Sequence, residues 1–160
     1  SLIPDPDSAI PDPRSSVRHP RSTVSTLRVR YSETDQMGFV YHPHYLVWCE
    51  IGRTDFIRAI GPSYADLEAQ GWLLAVTDAS IRFAAPGRYD DLIRVTCMVE
   101  RVQSRSITFN YEIDRIEPSP VQRLATATTR LIALDTSGTP RTLPPELLQR
   151  FRDAVATSAS

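Results

Sequence analysis

The stretch Tyr31–Gly61 constrains the fold more than any other part of the chain, because a polar loop there runs into an unusually apolar helix. Pro43 suits the first helical position, where its missing N–H would be unpaired in any case. The predicted helix has about five turns at about 3.6 residues per turn, and Tyr45–Cys49 form an apolar run inside it. Because that run covers more than one turn, the helix has no clean polar face and must be enclosed by protein. Glu50 and Arg53 interrupt the apolar residues, and a membrane span would need about 18–20 of them.

Alternation of apolar and polar residues predicts strands in much of the remaining sequence. The predicted strand segments are Leu27–Tyr31, Trp72–Ala84, Ile93–Glu100, Ile107–Asp114 and Leu124–Leu134. In the second segment, the residues expected to share one face are Leu73, Ala75, Ala79, Ile81 and Phe83. Ser63 and Asp66 predict the start of a short helix over residues 64–70, and Pro144-Pro145-Glu146 predicts the start of a terminal amphipathic helix.

Short loops between successive strands favour antiparallel pairing. The sheet would have one apolar face, and the long helix is the only large element available to cover it. We therefore predict an α+β fold in which a curved antiparallel sheet wraps around one long helix. The exposed edges of such long strands also favour association between copies of the chain.

Proline-rich composition separates residues 1–24 from the rest, since this segment holds five of the 13 prolines. We predict an extended N-terminal tail there and one folded domain over residues 25–160. The formal net charge of −1 gives no field that would recruit nucleic acid or an anionic membrane. Cys49 and Cys97 lie in apolar runs, as reduced core residues do, and no apolar signal-peptide region precedes the fold. We therefore expect a cytoplasmic protein.

The residues present exclude or disfavour several kinds of catalytic site. All 18 basic residues are arginine, so lysine Schiff-base chemistry is excluded. No Gly-x-Ser-x-Gly motif surrounds a serine nucleophile. His42 and His44 are too small a cluster for a structural metal site, and we expect neither a metal nor an organic cofactor. Cys49 would be a poor nucleophile, because burial and the neighbouring Glu50 would both raise the pKa of its thiol.

Polar side chains concentrate instead around the loop before the long helix, at Tyr31, Glu33, Thr34, Asp35, His42 and His44. The first turn of a helix presents unpaired N–H groups and the positive end of the helix dipole. We expect the amides of His42, His44 and Tyr45 to hold an oxygen that becomes negative during attack on a carbonyl. Asp35, seven residues before His42, can return across the loop to face the same point. This arrangement suits hydrolysis of an activated acyl group such as a thioester, unless Asp35 merely caps the helix or loop.

The same stretch carries a longer motif. Tyr-x-x-Thr-Asp-x-x-Gly-x-Val-Tyr-His-x-x-Tyr begins at Tyr31, and Glu50 and Arg53 follow it. Further matching positions are Phe83-Ala-Ala-Pro86, Tyr89-Asp90-Asp91 and Arg105-Ser106. Over residues 26–150 the chain resembles acyl-CoA thioesterases of the 4-hydroxybenzoyl-CoA thioesterase and YbgC type. The resemblance implies the hot-dog fold, hydrolysis of an acyl-CoA without metal or organic cofactor, and homodimers or homotetramers with sites at subunit interfaces.

The resemblance also implies roles for individual residues. The catalytic residues would be Asp35 as the essential carboxylate, His42 through its backbone N–H, and Tyr31. The positions implied to bind substrate are Gly38, Val40, Tyr41, Tyr45, Arg105 and Ser106. Arg105 would meet the phosphates of CoA. Its neighbours Gln103 and Ser104 are not basic, so an acyl-carrier protein is the alternative partner.

Several interpretations stay open from the sequence. Asp35 would act either as a general base on water or as a nucleophile through a mixed anhydride. The rival functions are a hot-dog dehydratase that uses the imidazole of His42, and a module that binds an acyl group or CoA without turnover. Glu50 and Arg53 are expected to neutralise each other, unless Glu50 is catalytic. The residues expected in the core rather than in an acyl pocket are Trp48, Phe56 and Phe109.

Overall fold

The computed structural model describes residues 21–61 and 63–155. Its strands are β1 (Ser22–Arg28), β2 (Leu73–Phe83), β3 (Leu92–Val102), β4 (Ser106–Glu117) and β5 (Gln122–Leu134), and its helices are α1 (His44–Ile60), α2 (Tyr64–Ala69) and α3 (Pro145–Ala154). Because β1 begins at Ser22, residues 22–24 belong to the sheet and not to the predicted tail. The part of the predicted tail over residues 1–20 lies outside the described residues.

The five strands form one antiparallel sheet in the order β1-β3-β4-β5-β2. Successive strands from β3 to β5 pair with each other, as the short loops predict. The connection from β2 to β3 does not follow this rule, since β2 pairs with β5 at the opposite edge. The amides of Ala84 and Ala85 both donate to the carbonyl of Leu124, which directs the connecting segment across the end of the sheet.

One face of the sheet and one side of α1 form the core. Alternate residues of the two central strands are buried there: Ile93, Val95, Cys97, Val99, Ile107, Phe109, Tyr111 and Ile113. From α1, Trp48 and Phe56 pack into the same cluster, so their predicted place in the core is confirmed, as it is for Phe109. The helix approaches the sheet closely at Gly52, where a Cβ would lie 2.9 Å from Cγ1 of Val95. A curved antiparallel sheet around a long helix is the predicted hot-dog fold.

The other side of α1 is not enclosed within one chain. Leu46, Val47 and Ile51 are 39%, 44% and 39% exposed. The prediction that the rest of the chain encloses the whole helix is therefore wrong for this side, because a single sheet covers only one side of a helix. Pro43 has helical angles but precedes the helix by one residue, whereas the sequence predicted it as the first helical position.

The apolar face of β2 differs from the predicted one. Thr77 is an extra residue in the pairing with β5, where the register shifts between Val76 and Asp78. Directly opposite residues of an antiparallel pair point to the same face. The residues that face the same side as the buried residues of β5 are consequently Leu74, Val76, Ala79, Ile81 and Phe83. Leu73 and Ala75 point to the other face, because the bulge inverts the alternation at Thr77.

The short helices close one end of the molecule. Ser63 caps α2 as predicted, since its Oγ accepts a hydrogen bond from the amide of Asp66. α3 packs Phe151 against Phe56 with nearly parallel rings 6.3 Å apart, and Arg150 donates to the carbonyl of Ile60 at the C-terminal end of α1. The N-terminal end of α1 is thereby left as the open end. Among the described helices, none is both long and apolar enough to span a membrane.

Candidate active site

The start of α1 presents one amide that is free to bind a substrate oxygen. Of the three amides predicted as donors, that of His44 donates to the carbonyl of Tyr41 at 3.0 Å, and that of Tyr45 donates to the carbonyl of His42 at 3.3 Å. The prediction is therefore wrong for these two, because a tight turn at residues 41–45 uses them internally. Within residues 21–61 and 63–155, the amide of His42 has no acceptor. It is the donor that the fold leaves available at this helix end.

Asp35 lies in a tight loop that uses only part of its carboxylate. Oδ1 accepts hydrogen bonds from the amides of Met37 at 2.9 Å and Phe39 at 3.3 Å. Oδ2 has no hydrogen-bond partner among the described residues, and the side chain is half-buried. Gly38 closes the loop with a φ of +81°, a conformation that glycine adopts without strain. Asp35 thus caps the loop through one oxygen and keeps the other for a further partner.

Both carboxylate oxygens of Glu33 accept hydrogen bonds from other residues of the chain. The residue is 2% exposed, and its carboxylate accepts hydrogen bonds from the amide of Arg30 at 2.8 Å and from the indole Nε1 of Trp48 at 2.9 Å. Burial alone would raise the pKa of Glu33, but the hydrogen bonds from the Arg30 amide, the Trp48 indole and the Arg30 guanidinium outweigh burial, and the pKa lies below its ordinary value. Glu33 therefore anchors the loop to α1 as a charged carboxylate, a role that the sequence did not reveal.

A groove of about 330 Å³ opens beside the N-terminus of α1. Its lining residues are Val40, His42, Tyr45, Phe83, Ala84, Ala85 and Pro86. Tyr45 is buried, and its hydroxyl accepts a hydrogen bond from the amide of Gly87 at 3.1 Å, so it fixes the wall of the groove. Sequence reasoning did not assign residues 83–86 to the site, although they belong to the motif that carries the family resemblance.

The remaining predicted site residues lie at two distant places. Tyr31 and Tyr41 are exposed aromatic residues near the loop, where Tyr31 contacts Tyr89 edge-on at 5.7 Å and Tyr41 contacts His42 at 4.8 Å. Arg105 lies in the turn between β3 and β4.

That turn is at the far end of the sheet. The loop that carries Asp35 leaves the sheet where Arg28 pairs with Leu92, at the start of β3. Arg105 follows the other end of β3, which is roughly 30 Å away for a strand of this length. Ser106 is buried and donates to Oε1 of Gln103 at 2.8 Å, so it stabilises the turn. Within one chain, Arg105 and Ser106 are not brought to the site.

Other candidate chemistries find little support in the described residues. Burial raises the pKa of the Cys49 thiol to about 12, and Arg53, the neighbouring charge that acts on it, lowers it only in part. The described part of the chain contains no group of three or more histidine, cysteine or acidic side chains placed to hold a metal. Glu50 and Arg53 do not form the expected ion pair with each other there.

Comparison with known proteins identifies the family of this chain. Residues 29–151 match the model of the Thioesterase-like superfamily. YneP of Bacillus subtilis, provisionally named an acyl-CoA thioesterase, is 41% identical over 87 residues, which cover 54% of this chain and 63% of YneP. The acyl-CoA thioester hydrolase YbgC of Escherichia coli O6:H1 is 28% identical over 127 residues, which cover 79% of this chain and 92% of YbgC.

A solved structure extends the comparison to three dimensions. The DHNA-CoA thioesterase of Staphylococcus aureus superposes with a TM-score of 0.77 and 30% identity, over 82% of this chain and 89% of that one. The family match covers the loop, α1 and the whole sheet except β1. This chain belongs to the Thioesterase-like superfamily and has the hot-dog fold.

Proposed function

We propose that this protein hydrolyses an acyl-CoA thioester to a free acid and CoA at the N-terminal end of α1. The observation that carries the proposal is the amide of His42, which has no acceptor among the described residues although it lies at the positive end of a 17-residue helix. The half-used carboxylate of Asp35 in the preceding loop supplies the second chemical group. Membership of the thioesterase superfamily favours this reaction over the alternatives.

The proposed reaction needs one hydrogen-bond donor and one carboxylate. The His42 N–H holds the thioester carbonyl oxygen and stabilises the negative charge that develops there. As a general base, Asp35 takes a proton from water, the resulting hydroxide adds to the acyl carbon, and the C–S bond breaks. The departing thiolate of CoA then takes up that proton. As a nucleophile, Asp35 would displace the thiolate to form an anhydride, which water then cleaves to the same products.

The hydrogen bonds of Asp35 suit either route. Two backbone amides fix Oδ1, so Oδ2 is held in place without the cost of ordering the side chain during the reaction. Tyr31 and the imidazole of His42 are exposed at the mouth of the site, where we assign them to contacts with the substrate rather than to proton transfer.

We also propose that the active form is a homo-oligomer. β2 is an 11-residue edge strand, and the adjoining side of α1 exposes Leu46, Val47 and Ile51. A second copy paired along β2 would extend the sheet and cover apolar surface that one chain leaves open. Arg105 lies too far from Asp35 to serve the site of its own chain, so we assign it to the site of another copy. Light scattering should therefore show a dimer or tetramer, whereas a fully active monomer would contradict this proposal.

CoA is the proposed carrier of the acyl group, and the cytoplasm is the proposed location. Arg105 is exposed and is the basic residue of the β3–β4 turn. A single arginine can bind a phosphate of CoA, though a short phosphopantetheine arm on a carrier protein presents the same thioester. Replacing Arg105 with glutamine should raise KM for acyl-CoA and leave kcat nearly unchanged, if CoA phosphates are its partner.

The experiment that tests the proposed function is release of free thiol from a panel of short, long and aromatic acyl-CoA substrates. We expect turnover of at least one class, with no loss after treatment with a chelator. Binding without turnover across the whole panel would replace the thioesterase with a binding module. Formation of an enoyl product without free thiol would favour the dehydratase.

A further inference from the structure

A small cavity beside the middle of α1 is lined by Arg53, a half-buried arginine that forms no ion pair with the described residues. The cavity has a volume of about 100 Å³ and lies between α1, α2 and the start of β2. Its lining residues are Glu50, Arg53, Thr54, Ile57, Tyr64, Leu74 and Leu131. Ile57, Leu74 and Leu131 form the apolar part of its wall, and the guanidinium of Arg53 is the positive charge among its lining residues.

The charge of Arg53 is unusual within this protein. Among the ion pairs of residues 21–61 and 63–155, none includes Arg53. On the other face of the sheet, the side chains of Arg94 and Arg123 are 39% and 43% exposed, yet both pair with the buried Asp114. A guanidinium that is partly removed from water without an anion is costly, so a bound anion would be stabilised there.

The neighbouring polar groups satisfy Arg53 only in part. The hydroxyl of Tyr64 is already used, because it accepts from the amide of Leu74 at 3.3 Å and donates to the carbonyl of Leu74 at 3.4 Å. The hydroxyl of Tyr111 interacts with the guanidinium of Arg53 and also bonds to Thr129 at 2.7 Å, so it occupies one side-chain donor of Arg53 at most. Glu50 lines the cavity but is exposed, so water screens its charge. Of the five N–H donors of an arginine, most therefore remain for a ligand.

One stripe of α1 runs from the proposed catalytic centre toward the cavity. Leu46, Glu50, Arg53 and Ile57 are spaced by four, three and four residues, so they share one stripe of α1 that leads back to His42. Strand β2 connects the same two places, since Phe83 lines the groove with His42 at one end of the strand and Leu74 lines the cavity at the other. We call the space along β2 and this stripe of α1 the corridor. Between its two ends, the inward face of β2 is left open by α1: Val76 is 47% exposed, and Phe83 is 50% exposed.

The length of this corridor limits the length of the acyl chain that could lie in it. Arg53 is eleven residues after His42, which is about 16 Å along the axis of a helix. An arginine side chain leans toward the N-terminus of its helix, so its guanidinium is closer to His42 than its Cα is. At about 1.2 Å per extended bond, the remaining distance fits an acyl chain of roughly 8 to 12 carbon atoms.

We propose that Arg53 binds a carboxylate at the far end of the acyl group, so that the enzyme prefers monothioesters of long α,ω-dicarboxylic acids to those of monocarboxylic acids of equal length. This inference rests on the proposed thioesterase function. A carboxylate matches the fork of the guanidinium with two parallel hydrogen bonds, and the apolar corridor accommodates the methylene chain. Arg53 is thus a specificity residue and takes no part in cleavage of the thioester.

The test compares matched pairs of CoA thioesters: octanoyl with octanedioyl, decanoyl with decanedioyl, and dodecanoyl with dodecanedioyl. For at least one pair we expect kcat/KM to be about 10- to 100-fold higher for the dicarboxylic member, the range of a hydrogen bond to a charged group. Arg53→Gln should abolish this preference, and Arg53→Lys should restore part of it. Arg58→Gln is the matched control, because it removes the same charge from the exposed side of the same helix and should keep the preference.

Each other outcome contradicts the inference in a distinguishable way. Equal turnover of both members of every pair would overturn the role of Arg53 and leave the thioesterase proposal intact. If none of the six substrates were hydrolysed but other acyl-CoA thioesters were, the role of Arg53 would be overturned and the thioesterase proposal would stand. A dimer that dissociates in Arg53→Gln would assign the guanidinium to an acid of a second copy instead. Silence on every acyl-CoA would overturn the proposed function together with this inference.

Discussion

Glu33 and Asp35 are two residues apart in the same loop, and their carboxylates have opposite surroundings. Glu33 is buried, and both of its oxygens accept hydrogen bonds, from Arg30 and from the indole of Trp48. Asp35 is half-buried, and two amides of its own loop occupy only one of its oxygens. The comparison shows how one loop can separate structure from chemistry. The first acid fixes the loop to α1, and the second is left with an oxygen for a substrate or a water molecule.

The largest expected effect comes from Asp35→Asn. Asparagine keeps the size of the side chain and can keep the acceptor for the two loop amides, but it can neither take a proton from water nor attack the acyl carbon. We expect kcat to fall by about 10²–10⁴, as for loss of a general acid–base group. Circular dichroism should show an unchanged fold. Activity near that of the wild type would remove Asp35 from the mechanism.

Glu33→Gln should lower stability and leave activity nearly unchanged, the opposite of the effects expected for Asp35→Asn. The neutral amide can accept from only one of the two donors, the Arg30 amide and the Trp48 indole, so the other donor loses its acceptor and both lose the negative charge. We expect a loss of about 1.5–3 kcal/mol in the free energy of unfolding, as for hydrogen bonds to charged groups, together with a fall of several degrees in Tm. Turnover of the folded fraction should stay close to that of the wild type. A variant of normal stability without activity would make Glu33 part of the catalytic site.

The pH dependence of stability provides a second comparison of the wild type with Glu33→Gln. Because the pKa of Glu33 lies below its ordinary value in the folded state, its contribution to stability is complete above the pKa of the unfolded chain, about 4.3 for a glutamate. That contribution is lost as the pH falls through the lower folded pKa. The Tm difference between wild type and Glu33→Gln should therefore narrow below about pH 4. A difference that widens there would contradict the assigned charge state.

His42→Ala should lower kcat by about tenfold or less, because alanine keeps the backbone N–H; deleting a true oxyanion donor costs about 10²–10³. His44→Ala is the matched control, since its amide is already used within the turn. A larger loss for His42→Ala than for Asp35→Asn would make the imidazole the catalyst and favour the dehydratase.

The smallest expected effect concerns the shape of the loop. Gly38→Ala places a side chain at a φ of +81° where nothing lies within 4 Å, so strain is the only cost, about 1–2 kcal/mol. Gly138→Ala is a close match, with a φ of +85° and the same open space in the turn between β5 and α3. Both should lower Tm similarly, and only Gly38→Ala should also lower kcat. Equal kcat in both variants would show that the loop has no role in aligning Asp35.

The sequence predicted those features that depend on local periodicity and on a contiguous motif. Alternation identified the buried residues of β3 and β4, and the motif placed Asp35 and His42 in one loop. Features that depend on distant partners could not be predicted in this way. The bulge at Thr77 arises in the pairing of β2 with β5, and it inverts which residues of β2 face inward. The use of the His44 and Tyr45 amides depends on the turn before α1, and the indole that binds Glu33 is 15 residues away.

The most direct test of this division of roles is kcat per folded molecule, measured by thiol release under saturating acyl-CoA for Asp35→Asn and Glu33→Gln side by side. Circular dichroism on the same samples gives the folded fraction. Our account predicts that Asp35→Asn loses about 10²–10⁴ in kcat while fully folded, and that Glu33→Gln keeps nearly wild-type kcat once the unfolded fraction is subtracted. An active Asp35→Asn beside a folded but inactive Glu33→Gln would contradict the account and reverse the roles of the two carboxylates.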